Sequence, residues 1–202
     1  MKIKMIFMSI ILILVYSSSL YPAEEDWYIH LYIGLAPSVS YPDWVEDEID
    51  WVETNVGSLS KSSLEYELGF YWPIKPNDSH KNILGFMLVT GVGTLYTRED
   101  DSIYAMSSLG GFSLSYQHYF GDEVGEGPFF RTDAGILGSF ISVKNDFNKN
   151  EDSKYGFGYL LGGGYSWLPE GWETRISVQG HYQGVSADGS SSIFSLGVAW
   201  LF

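Results

Sequence analysis

"IFSLGVAWLF", residues 193–202, carries the pattern that decides the fold. Phe194, Leu196, Val198, Trp200 and Phe202 fall on one parity; Ile193, Ser195, Gly197, Ala199 and Leu201 fall on the other. A period of two marks a β-strand, whose successive side chains point to opposite faces. Here the bulkier face runs through Phe202, in a chain of formal charge −14. The alternation recurs upstream. Trp27, Ile29, Leu31, Ile33 and Leu35 alternate with Tyr28, His30, Tyr32, Gly34 and Ala36. Leu64, Tyr66, Leu68, Phe70 and Trp72 alternate with Ser63, Glu65, Glu67, Gly69 and Tyr71. Similar rows run through 111–120, 130–140, 155–167 and 172–182, and a less regular one through 83–96. These make eight strands, each with room for the ~10 residues that a tilted strand needs to cross a bilayer.

A soluble barrel puts its apolar row inside, and a membrane barrel puts it outside. In each run one row is large and apolar, while the other carries Gly, Ser, Gln, Glu, Asp, Arg and His. An eight-stranded interior is only wide enough to be filled by side chains. The glycines of 156–164 leave lumenal space for Tyr28, Tyr32, Tyr71, Arg131 and Arg175. In the third strand Leu84, Phe86, Leu88 and Val92 are placed outward. The seven Pro residues are placed outside strand interiors, because Pro cannot donate to a ladder. Trp27, Trp72, Phe120, Trp167, Trp172, Trp200 and Phe202 gather at the ends with short turns or termini. Tyr96, Tyr104, Tyr155, Phe157 and Tyr182 gather at the opposite ends, which gives the two aromatic belts of a bilayer. The predicted fold class is all-β: an eight-stranded antiparallel up-and-down transmembrane β-barrel. The connections 37–62, 97–102, 142–154 and 184–190 are assigned to the outside of the cell, and 74–81, 121–127 and 169–171 to the opposite side.

The amino-terminal residues read differently. Lys2 and Lys4 precede an apolar run from Met5 to Tyr16, then Ser17–Ser19 and Ala23. This is the pattern of a secretory signal peptide, too short for the ~20 residues of a spanning helix. The expected organisation is therefore 1–23 as a cleaved signal and 24–202 as the barrel. Removing two Lys and no acid makes the barrel more acidic still, so nucleic acid has no electrostatic basis as a partner. With no Cys, there is no disulfide framework, thiol nucleophile or zinc-thiolate site.

The layout from Trp27 to Phe202 resembles the small bacterial outer-membrane β-barrels of the OmpA/OmpX-like type. The resemblance is strongest in the closing strand, with its terminal aromatic and alternating apolar residues. It implies a location in the bacterial outer membrane of a diderm cell, contact with outer-membrane lipid, and an assembly signal at Val198, Trp200 and Phe202 that is read by the outer-membrane assembly machinery. A monomer is expected.

Inward parity collects Glu65, Glu67, Asp133 and Glu173 with Arg131, Arg175, His30 and His181. Unpaired buried charge costs several kcal/mol, so a lumenal ion-pair network is expected, with Glu67 bonded to Arg131 or Arg175. Such a network resembles the one that plugs OmpA-like barrels. In the first long connection, "DWVEDEIDWVE" repeats DWVE and brings Trp44 and Trp51 to the surface loop. Val45, Ile49, Val52 and Val56 form a helical stripe, and Asp43 with Glu46 resembles a capping box. A short amphipathic helix on the barrel rim or bilayer surface and a solvated acidic loop are both open readings. No calcium-loop spacing is present, so no metal or cofactor is expected.

Barrel lipid A deacylases use a His-x-Ser pair with a Glu on the lipid-facing surface. The nearest segment here is His181-Tyr182-Gln183, which lacks the Ser. No nucleophile, base and orienting group can be assembled, so no catalytic residue is assigned. The expected function is a non-enzymatic surface barrel whose acidic loops serve a structural, adhesive or ligand-binding role toward a ligand or host molecule. A narrow ion or small-solute channel is the alternative, and a lipid-modifying enzyme a distant third.

Overall fold

Eight antiparallel strands close on themselves in a computed structural model that describes residues 27–74, 81–97, 103–144 and 149–202. The proposed signal segment 1–23, and parts of three connections at 75–80, 98–102 and 145–148, lie outside the described residues. The strands are β1 (Tyr28–Ser40), β2 (Ser60–Ile74), β3 (Asn82–Thr97), β4 (Ile103–Tyr119), β5 (Gly127–Lys144), β6 (Lys149–Trp167), β7 (Arg175–Ser186) and β8 (Ser190–Leu201). Each pairs with its sequence neighbours, and β8 returns to β1. At that seam the backbone N–H of Ile29 donates to Phe202 O at 3.1 Å, and that of Phe202 to Ile29 O at 3.0 Å. Closure leaves no open ladder edge facing hydrocarbon.

The inside-out polarity is plain. Leu35, Phe112, Ile136, Leu161 and Leu196 are each more than half exposed, whereas Glu65, Gln117, Arg131, Gln179 and Gln183 are buried. Among the described residues, no helix is long and apolar enough to cross a membrane. The strands carry the apolar outer band needed to sit in lipid.

Three expectations from periodicity need correction. In β3, Leu68 pairs with Val89 and Gly69 with Met87, so Leu88 is an extra residue and forms a β-bulge. Leu84 and Phe86 face outward below it; above it the parity flips, and Val92 and Tyr96 are buried inside. Tyr96 therefore leaves the upper aromatic belt. Proline does enter strands. Pro37 sits at the β1–β8 register shift, beyond the last β1–β2 pair, and Pro73 and Pro128 lie near strand ends. These are positions where a missing donor disturbs little of the ladder. Finally, β5 and β6 run to 18 and 19 residues and remain paired from Gly127↔Ser166 to Lys144↔Lys149. Most of the expected loop 142–154 is thus a continuation of the two paired strands.

The first connection folds as helix α1 (Asp43–Val56). Its N-cap is Pro42, whose carbonyl accepts from the N–H of Val45 at 2.8 Å. The Asp43–Glu46 capping box does not form, because both residues lie inside the helix. Glu46 instead accepts the Tyr41 N–H at 3.3 Å, and both acids lie in the first turn, where the helix dipole favours them. Gly57 ends the helix at φ 99°, a conformation that suits glycine.

Candidate functional site

The barrel interior is built in three layers, and each takes its residues from the inward rows of several strands. The upper layer is apolar. Val45, Ile49 and Val52 project from α1 into a cluster with Val92 and Tyr96 of β3, Leu109 of β4, Ile141 of β5 and Ile193 of β8. A fourteen-residue helix is marginal in water alone, so this packing stabilises it; each buried aliphatic side chain contributes about 1.5–3 kcal/mol. The helix lies across the mouth of the barrel and stops it, rather than lying on the bilayer surface.

Polar contacts fasten the stopper. Tyr41 OH donates to Thr94 Oγ1 at 2.7 Å, and burial raises the Tyr41 phenol well above its ordinary pKa. Lys61 Nζ donates to Val39 O at 3.0 Å and lies 5.6 Å from the centre of the Tyr41 ring. Lys154 Nζ pairs with Asp188 at 3.0 Å and sits 5.9 Å from the Trp44 ring. Trp44 is half-buried against the apolar cluster, while Trp51 is exposed on the outer face of α1. Asp43, Glu46, Asp47, Asp50 and Glu53 are also exposed on that face.

The middle layer carries the charge. Arg131 Nε donates to Asp133 Oδ1 at 2.9 Å and Nη2 to Asp133 Oδ2 at 2.5 Å, while Nη1 donates to Glu67. The planar guanidinium fork is what lets one Arg hold two carboxylates. Ser115 Oγ bridges Asp133 at 2.5 Å and Tyr71 OH at 2.6 Å. Glu67 also receives Thr90 Oγ1 at 3.2 Å, and its Oε2 lies 3.2 Å from His30 Nε2. His181 Nδ1 lies 3.7 Å from Glu67 Oε1 and 3.7 Å from Glu65 Oε2.

Two residues expected in this network stand apart from it. Glu173 is exposed in the turn ahead of β7, since that strand begins only at Arg175. The guanidinium of Arg175 lies 5.6 Å from the Tyr28 ring in the lower layer rather than beside Glu67. That lower layer closes the far end with Tyr28, Tyr71, Ile83, Met87, Tyr119, Val124, Phe129 and Leu201. Sequence reasoning missed this apolar floor and the approach of His181 to Glu65. Parity assigns a face to each residue but does not say which wall it meets across the lumen.

The chemistry available is ionic and structural. Val198, Trp200 and Phe202 lie on the outer face of the seam strand, partly exposed and away from the lumen. No protein-family model matches the sequence, and no curated protein does. Among solved structures the chain is similar to Ail, the attachment invasion locus protein of Yersinia pestis, in complex with the heparin analogue sucrose octasulfate. The two are 14% identical with a TM-score of 0.56 over 88% of this chain and 100% of that one. Ail in a second structure gives 14% identity and a TM-score of 0.51 over 89% of this chain and 100% of that one. The N-terminal β-barrel domain of Pseudomonas aeruginosa OprF is 13% identical, with a TM-score of 0.48 over 88% of this chain and 98% of that one. At such identities the likeness is one of architecture, and the chain has the fold of the small eight-stranded outer-membrane β-barrels.

Proposed function

We propose that this chain is a non-enzymatic barrel of the bacterial outer membrane, exported by residues 1–23 and inserted through the signal at Val198, Trp200 and Phe202. In this reading its working face is the acidic cap formed by α1. One observation carries it: α1 sits in the barrel mouth with Val45, Ile49 and Val52 inward and its acids outward. A lumen stopped by α1 and cross-braced in its middle weighs against a channel. A side-chain-filled interior admits no substrate to Glu65, Glu67 or Asp133, which weighs against an enzyme.

The cap also suggests the partner's charge. Ail in one of its structures holds a heparin analogue, a polyanion. The cap of this chain presents Asp43, Glu46, Asp47, Asp50 and Glu53 to solvent, which favours a basic partner and repels a sulfated one.

The test has two arms. A single cysteine at Asp50 should be labelled by an impermeant maleimide on intact cells, and one at Glu170, in the opposite turn, should not. The purified barrel should bind a poly-lysine surface in a salt-sensitive way, should ignore sucrose octasulfate, and should lose binding when Asp47, Asp50 and Glu53 are replaced by their amides. Labelling of the Glu170 cysteine alone, or steady conductance in planar bilayers with α1 intact, would sink the proposal.

A further inference from the structure

The charge in the middle layer does not balance. Among the described residues, the buried carboxylates there are Glu65, Glu67 and Asp133, and the buried guanidinium is Arg131 alone. Arg131 already contacts Glu67 and Asp133. Glu65 is 0% exposed, yet neither of its carboxylate oxygens has a hydrogen-bond partner. His181 is 1% exposed, and neither ring nitrogen has one. A buried carboxylate whose oxygens lack hydrogen bonds is costly, and a cation held between it and the imidazole would satisfy both.

We propose that Glu65, Glu67 and His181 form a binding site for one divalent transition-metal ion of the Zn2+ class, sealed inside the lumen. The three residues each offer one ligand atom, and these atoms lie within 4.8 Å of one another. His181 Nδ1 is 3.7 Å from each Glu oxygen it faces. A tetrahedral ion bound at ~2.1 Å separates its ligands by roughly 3.4 Å, so small side-chain movements close the site. One imidazole with two carboxylates suits Zn2+ and its first-row neighbours better than Ca2+ or Mg2+, which take oxygen ligands.

The histidine is held for this role. Its ring packs on Tyr32, with centroids 4.6 Å apart. On β6 a side chain at Gly162 would meet His181 Cδ2 at 2.6 Å, so only glycine leaves the ring its place. Both amide atoms of Gln183, on the same inward row of β7, are buried without a hydrogen-bond partner. A water would complete the fourth position. The ion would offset the excess negative charge next to the Arg131 cluster. With α1 seated the site is closed, so loading belongs to folding.

The experiment refolds the chain into detergent micelles with Zn2+ or with EDTA, strips free metal by an EDTA wash, and measures retained metal by elemental analysis. The proposal expects about one Zn2+ per chain in the first preparation and a higher melting temperature than in the second. Glu65→Gln and His181→Gln should each weaken Zn2+ binding about a hundredfold or more. Retention below about a tenth of an equivalent in the wild-type chain overturns the site. So does undiminished retention in the two variants. Should the variants fail to fold, equal melting of the Zn2+ and EDTA preparations of the wild-type chain overturns it independently.

Discussion

Arg131 is the residue on which the lumen turns. It is buried, it grips Asp133 with two nitrogens, and it reaches Glu67 across the barrel. Removing one partner of a buried pair leaves an uncompensated charge, at a cost of about 3–5 kcal/mol. Arg131→Ala should therefore lower the unfolding free energy by about that amount, as read by urea titration in micelles. Glu67→Ala combined with Arg131→Ala should cost less than the sum of the two, because the pair is counted once. Singles that unfold like wild type would remove the network from the stability of the barrel. Sequence parity places both residues on the inward face, and their opposite charge makes the pairing legible. Parity fails at Glu173 because it is counted there through a turn, where alternation has no meaning. The approach of His181 to Glu65 is illegible for another reason: it joins β7 to β2, which are not ladder neighbours.

At the scale of elements, α1 shows how far a stripe of aliphatics can be read. The spacing of Val45, Ile49 and Val52 leaves an amphipathic helix and an acidic loop both open, and the helix is what forms. What its apolar side rests on is not legible, since its seat is assembled from β3, β4, β5 and β8. Ile49→Ala should destabilise the fold by about 2–5 kcal/mol through the cavity it leaves. Trp51→Ala, on the exposed side, should change stability by no more than about 0.5 kcal/mol. Both are measurable in the same titration, and equal effects would mean that α1 is not seated. The eight strands are legible because lipid outside and a filled lumen inside enforce strict alternation. The bulge at Leu88 is not, since Leu88 and Val89 suit either face of a strand. The extended β5–β6 hairpin is not either, because above the bilayer a strand meets water on both sides and alternation fades.

For the whole molecule the decisive event is closure between β1 and β8. The bonds from Phe202 to Ile29 are made by the main chain and survive a change of side chain. Phe202→Asp should nonetheless reduce the amount of barrel in the outer membrane sharply, as seen by immunoblot of membrane fractions. A charge near the interface costs only about 0–1 kcal/mol, so a large loss would reflect failed recognition during assembly. Undiminished levels would remove that role from the terminal aromatic. Closure also sets an order in time. Helix α1 lies between β1 and β2, but its seat includes Ile193 of β8, the last strand to be made. The helix has no complete seat until the first and last strands meet. Until that moment the sheet is an open trough whose mouth cannot be stoppered, so closing its side and sealing its end become a single event.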